Sequence, residues 1–277
     1  MAASPVVVTG ANGRLGALLR RAWALEPAAG LMPVWAGRGP DADLRWDILA
    51  DPPPSLPEGA IVLHLAAVLR GDTAALGQNA AMAAPVMAAA RQSGAAAVLV
   101  ASTAAVYAPT AVPARETVDP APTAPYGRAK LAAEVAFQAE TGPRPVVLRI
   151  GNVVGADALL GPRTDGGPVV LDPVPGRDGG PLRSWIGPVT LARVLAALCR
   201  MACEDRLPSL LNLATAPPLP MADLLDAAGR AWRYGPPNPA VVPAAVLSAE
   251  RLAALYPLPE ARAGGLVAEL ARLRVSA

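Results

Sequence analysis

The sequence predicts an α/β protein built on a doubly wound parallel sheet, followed by a smaller C-terminal lobe. Three observations carry that expectation. Short apolar runs at Pro5–Thr9, Leu31–Ala36, Ala60–Leu65, Ala96–Ala101 and Pro145–Ile150 alternate with helical patterns at Arg14–Glu26, Ala75–Ser93 and Tyr126–Thr141. Strands that are apolar on both faces belong in a parallel sheet covered by helices on both sides, and right-handed crossovers wind such a sheet outward in two directions. Apolar residues make up 53% of the chain and aromatic ones only 4%, with alanine runs such as Ala95–Ala97 that suit close helix–sheet packing. From Gly151 onward the texture changes to Gly- and Pro-rich loops. Residues 1–150 are therefore read as the sheet domain and 151–277 mainly as a second, substrate-binding lobe. That lobe is expected to hold a short run at Val169–Leu171, a helix at Val189–Cys203 and a strand at Leu210–Ala214. Helices are expected near Ala222–Trp232, Ala244–Leu255 and Pro259–Leu273. The 32 prolines fall in loops such as Pro52–Pro57 and Pro217–Pro220 with no repeat period.

Composition narrows the function. A net charge of +2 with scattered arginines does not suit a nucleic-acid binder that depends on phosphate contacts. No apolar run reaches the roughly 18 residues of a membrane helix, and the opening MAASPVVVTG lacks a charged leader with a long apolar core. A cytoplasmic protein with a small-molecule substrate is expected. Cys199 and Cys203, four apart in an apolar helical pattern, read as a pair of buried free thiols. The single histidine, His64, leaves no cluster for a metal site and reads as structural. Among 24 Lys and Arg residues, Lys130 is the sole lysine. In a chain that uses arginine almost everywhere, a lone ammonium marks a place where a compact cation with a tunable proton is required.

The loop Thr9-Gly10-Ala11-Asn12-Gly13-Arg14-Leu15-Gly16 follows the first strand and opens the first helix. Glycines there permit a tight turn and close approach of backbone to a pyrophosphate, which the helix N-terminus attracts. The segment reads as the phosphate loop of a Rossmann-type dinucleotide site, with Gly10, Asn12, Gly13, Arg14, Leu15 and Gly16 as cofactor contacts. The second strand ends Ala36-Gly37-Arg38 with no acid for a ribose 2′-hydroxyl, and Arg38 suits a 2′-phosphate. NADP is thus expected in preference to NAD. Asp47-Ile48 is placed to meet the adenine, with a helix N-cap as the competing reading of Asp47. The small residues of Leu65-Ala66-Ala67 let the loop after the third strand pass beneath the cofactor.

Tyr126 and Lys130 open the catalytic helix one turn apart and on one face. A neighbouring ammonium favours a phenolate, making the phenol a better proton donor and acceptor near neutral pH. Ser102 and Thr103 end the fourth strand, at the edge where doubly wound sheets hold ligands, so a hydroxyl there can bond the reacting carbonyl.

The glycine loop, Thr103, Tyr126-x-x-x-Lys130 and the His64-x-Ala-Ala turn together resemble the extended short-chain dehydrogenase/reductase superfamily, the branch of NAD-dependent epimerases and dehydratases, with this chain a shortened member. Pro125-Tyr126-Gly127, Leu148 to Gly155, Asp178 to Ile186 and Leu211-Asn212-Leu213 resemble further segments of that family. The resemblance implies Tyr126 as general acid/base, Lys130 as its tuner and holder of the nicotinamide ribose, and Thr103 as the catalytic hydroxyl, with Ser102 as runner-up. It also implies Asn79 in support of the cofactor, and Asn152 and Arg183 at the substrate. A homodimer is one assembly it allows.

The departures are equally informative. Family dehydratases carry Asp-Glu after the catalytic Thr, and here Ala104-Ala105 follow. The Cys/His pair of epimerase-reductases has no counterpart. An acidic pair usual after the position of Ile186 is replaced by Gly187-Pro188. The expected function is a reductase or dehydrogenase moving a hydride to or from a carbonyl or hydroxyl carbon. The competing readings are a sugar-nucleotide 4-epimerase with tightly held NAD and a non-catalytic nucleotide sensor. The stretch from Asn152 to Arg183 offers little chain to roof a nucleotide, so a small, sugar-type substrate is expected.

Overall fold

The computed structural model describes residues 3–162, 167–204 and 206–275. The first half runs β1 (Ser4–Thr9), α1 (Arg14–Leu25), β2 (Leu31–Gly37), β3 (Leu44–Arg45), β4 (Ile61–His64), α2 (Thr73–Ala81) and α3 (Ala83–Gln92). It continues with β5 (Ala97–Thr103), β6 (Thr110–Ala114), α4 (Pro125–Ala139) and β7 (Pro145–Ile150). The second half runs β8 (Asn152–Val153), β9 (Val169–Leu171), β10 (Leu182–Ile186), α5 (Pro188–Ala202), β11 (Leu210–Leu213) and β12 (Thr215–Pro220). It closes with α6 (Met221–Ala227), β13 (Trp232–Tyr234), β14 (Ala244–Leu247), α7 (Glu250–Ala253) and α8 (Ala263–Val275).

Seven strands form one parallel sheet in the order β11-β7-β5-β4-β1-β2-β3. Every residue of β4 and β7 is buried, as expected of strands covered on both faces. The winding reverses between β1 and β4, which opens a crevice at the carboxyl ends of those strands. Register sets what lines that edge: Thr9 of β1 lies opposite Ala36 of β2 and His64 of β4, and Thr103 of β5 opposite Ile150 of β7. A smaller sheet, β12-β10-β14-β6 with β8 added to β10, stands beyond it. None of the described helices is long and apolar enough to cross a membrane.

The core does not stop at residue 150. Strand β11 closes one edge of the large sheet, and α5 packs on α1, where Trp23 Nε1 donates to the Ala192 carbonyl at 3.0 Å. The segment 244–255 is not a helix: β14 pairs with β10 and β6, and only Glu250–Ala253 coils. The stretch 222–232 is helical only to Ala227, and its end turns into β13. The helix expected over 75–93 is two helices meeting at Met82, because Pro85 has no N–H for the carbonyl four residues back.

His64 is buried, shares a 2.8 Å hydrogen bond between Nδ1 and Thr9 Oγ1, and packs 5.0 Å from the Phe137 ring. Burial, aided by the nearby Lys130 charge, pushes its pKa down to about 3, a structural setting. The cysteines are not a buried pair. Cys199 is buried, which pushes its thiol up to about 12, while Cys203 is exposed. The missing acids after Ile186 are replaced from a distance. Glu269 of α8 accepts from Thr190 N at 2.8 Å and Thr190 Oγ1 at 2.6 Å, capping α5 with a carboxylate from the end of the chain.

Candidate active site

The crevice at the winding reversal is a cleft of about 810 Å³, of a size that holds a dinucleotide. Its floor is the glycine loop. Gly10 takes φ +71°, and a Cβ there would lie 2.6 Å from the Ala66 backbone nitrogen, while one at Gly16 would run into the Gly10 carbonyl oxygen. Both positions therefore require glycine. No side chain caps α1 at Gly13, so the first N–H groups of that helix remain available to an anion. These features fit the pyrophosphate of a dinucleotide.

Of the residues expected at the cofactor, Gly10, Asn12, Gly13, Arg14, Leu15 and Gly16 line the cleft on one side, and Leu65, Ala66 and Ala67 on another. Arg38, Asp47 and Ile48 line its far end, and Tyr126, Lys130, Thr103 and Asn152 its near end. Two expectations need correction. Asn79 does not line the cleft. It is buried, donates through Nδ2 to the Val68 carbonyl at 2.9 Å and accepts from Val68 N at 3.0 Å, so it clasps the loop that carries Leu65–Ala67. Arg183 is not among the lining residues either. Its guanidinium donates to the backbone carbonyls of Leu182 and Val242 at 2.8 and 2.9 Å, a tether within the small sheet. Burial pushes its pKa down to about 10.

The near end is built on α4. Pro125 opens this helix, and a Cβ at Gly127 would collide with the Ala105 carbonyl, so glycine lets the helix sit directly on the turn after β5. Tyr126 and Lys130 face the cleft from successive turns. Burial pushes the Tyr126 phenol up to about 12 and the Lys130 ammonium down to about 8. The phenol is thus more firmly protonated than the lysine spacing predicts, because burial strips water from the phenolate. Glu134, one turn beyond Lys130, works the other way and favours the charged lysine.

Sequence reasoning missed Glu134 and its partner Arg149. The Arg149 guanidinium straddles the Glu134 carboxylate, Nη2 to Oε2 at 2.7 Å and Nε to Oε1 at 3.1 Å, with both side chains almost wholly buried. Arg149 also lies 4.7 Å over the Tyr107 ring, and Tyr107 Oη donates to Asn212 Oδ1 at 3.1 Å. Ser102 Oγ donates to Glu134, so its proton is committed. Thr103 Oγ1 accepts from Ala105 N at 3.2 Å and keeps its own proton to offer. Of the two hydroxyls, Thr103 is the one that lines the cleft with its proton uncommitted. The signal for Glu134 was the continuation of the four-residue spacing from Tyr126 through Lys130.

A parallel sheet wound around a glycine loop, with Tyr126 and Lys130 at its mouth, defines a dinucleotide-dependent enzyme class. The chain belongs to the NAD dependent epimerase/dehydratase family, whose sequence profile matches residues 6–167. Solved structures share the fold. UDP-glucose-4-epimerase from Stenotrophomonas maltophila, with bound NAD and formylated UDP-arabinopyranose, is 18% identical with a TM-score of 0.75 over 98% of both chains. UDP-glucose 4-epimerase from Thermus thermophilus, in complex with NAD, is 23% identical with a TM-score of 0.70 over 98% of this chain and 99% of the other. MoeE5, in complex with UDP-glucose and NAD, is 22% identical with a TM-score of 0.73 over 99% of both. Comparison with curated proteins found no match.

Proposed function

We propose that the chain is an NAD(P)-linked reductase or dehydrogenase acting on a carbonyl or hydroxyl carbon of a small, sugar-type substrate, with residues 151–277 supplying most of its substrate lobe. The observation that carries this reading is that Thr103, Tyr126 and Lys130 line one end of the same cleft that holds the glycine loop. A bound nicotinamide dinucleotide supplies the hydride acceptor or donor. Thr103 Oγ1 donates a hydrogen bond to the substrate oxygen and fixes its position. Tyr126 Oη exchanges a proton with that oxygen, giving it when a carbonyl becomes an alcohol and taking it in the reverse direction. Lys130 holds positive charge beside the phenol and stabilises it when it has lost its proton. Asn152 lines the cleft where the substrate enters, but Arg183 offers no guanidinium there.

For the cofactor, the reading keeps NADP ahead of NAD. No carboxylate stands at Gly37, where a Cβ would collide with Asn12 Oδ1, and the Arg38 side chain is 81% exposed with Asp47 3.8 Å away. The exposed guanidinium can exchange its contact with Asp47 for a 2′-phosphate.

A sugar-nucleotide 4-epimerase with tightly held NAD is the second reading, favoured by the UDP-sugars named with the neighbours of this fold. A panel of carbonyl compounds, sugars and uronic acids followed by nicotinamide absorbance separates the two. Stoichiometric change in absorbance with at least one substrate supports the oxidoreductase. Interconversion of sugar epimers with no net change in absorbance overturns it.

A further inference from the structure

A second cavity, of about 380 Å³, lies on the other side of the phosphate loop, between α1, the segment after β8 and α8. Four arginines line it, namely Arg14, Arg21, Arg230 and Arg274, and no Asp or Glu does among the described residues. Arg14 and Arg21 share α1, and the fold brings Arg230 and Arg274 to them from distant parts of the sequence. Two are held in place by single backbone bonds, Arg230 Nη1 to the Leu159 carbonyl at 2.6 Å and Arg274 Nη2 to the Leu160 carbonyl at 3.4 Å. Each keeps further N–H groups uncommitted. None of the four is in an ion pair among the described residues.

Other arginines nearby are treated differently. Arg272, two residues before Arg274 on the same helix, joins Arg193 in pairing with Glu26. Asp157, in the described part of the segment after β8, spends its carboxylate on the backbone N–H groups of Gly155, Leu159 and Leu160. Arg14, Arg21 and Arg274 are exposed, so water screens much of the repulsion among the four charges, and a multiply charged anion removes what remains. Guanidinium groups bind phosphate oxygens through paired N–H donors.

The cofactor cleft uses a different side of α1. Leu15 and Gly16 line that cleft, while Ala17, Leu18 and Arg21 line the second cavity, and only Asn12, Gly13 and Arg14 line both. We propose that the arginine cavity is a second anion site, adjoining the cofactor's at Arg14 and reaching beyond it, that binds a diphosphate group, whether free or carried by a nucleotide.

The test is calorimetric titration of the full chain, saturated with NADH, with inorganic pyrophosphate and separately with ADP. One pyrophosphate per chain is expected. The double variant Arg21→Gln/Arg274→Gln should bind it at least about tenfold more weakly, since each charged hydrogen bond lost is worth roughly that factor. Its NADH affinity and melting temperature should stay unchanged. ADP binding as tightly as pyrophosphate assigns recognition to the diphosphate alone, and ADP binding at least about tenfold tighter assigns it to a nucleotide. Displacement of NADH by pyrophosphate, equal affinity in the double variant, or equal binding of sulfate overturns the proposal. If neither NADPH nor NADH binds, the cofactor reading fails, and the comparison of wild type with the double variant still reads this site.

Discussion

At the near end of the cleft, Lys130, Glu134 and Arg149 are buried and their charges answer one another within the fold, whereas at the far end Arg38 stands exposed and faces Asp47 across 3.8 Å. The difference follows from what each end does in the proposed reaction. A group that moves a proton needs a fixed orientation and surroundings whose own charges stay put, and burial among hydrogen-bonded partners provides both. A group that selects a cofactor can wait in solvent until the ligand arrives. Burial also makes the near end costly to disturb, because removing one partner leaves the other charge stranded without water. The far end is cheap to change.

The largest effect expected from this contrast is on stability. Replacing Glu134 with alanine leaves Arg149 charged and buried, and should cost about 3–5 kcal/mol of unfolding free energy by chemical denaturation. A loss below about 1 kcal/mol, the range of exposed ion pairs, would mean that the buried network does not distinguish this end.

His64 gives a smaller effect of the same origin. Its pKa is about 3 in the folded chain against 6.5 when exposed, so between those values the unfolded chain binds a proton that the folded one refuses. The stabilisation is complete above pH 6.5 and is lost as pH falls toward 3. Wild type should lose about 2 kcal/mol more than His64→Gln between pH 7 and pH 5. Equal losses would show that the histidine charges without cost and that the near end admits water.

Arg38→Ala should have the least effect. A charged hydrogen bond is worth roughly 1.5–3 kcal/mol, and exposure of Arg38 reduces that to about 1 kcal/mol, or roughly fivefold in the Kd of NADPH. NADH affinity should not move. Equal weakening of both cofactors would break the assignment of this end to the 2′-phosphate.

How much of this was legible in the sequence depends on how far apart the interacting residues lie. The strands of the large sheet follow from local apolar runs, and β1, β2, β4, β5 and β7 fall within a few residues of those runs. The glycine loop and the Tyr126–Lys130 spacing are local as well, and both line the cleft. Errors came where distant pairing decides. Ala244–Leu247 is alanine-rich and reads as helix, yet it is a strand because β10 and β6 offer it partners. Arg183 was placed at the substrate by likeness, but the Val242 carbonyl, 59 residues away, takes its guanidinium. Glu269 could not be linked to Thr190 from the sequence, since 79 residues separate them. Pro85, by contrast, is a local signal that the helical periodicity hid.

The most direct test of the account is Tyr126→Phe, which removes one oxygen from the near end and leaves the glycine loop and the far end untouched. Turnover and cofactor affinity should be measured on the same preparation, once a substrate has been found. Losing a positioned acid/base costs about 10²–10⁴-fold in rate, so turnover should fall by that factor while the cofactor Kd stays within about twofold. A variant that keeps more than about a tenth of the wild-type rate would contradict the assignment of proton transfer to Tyr126.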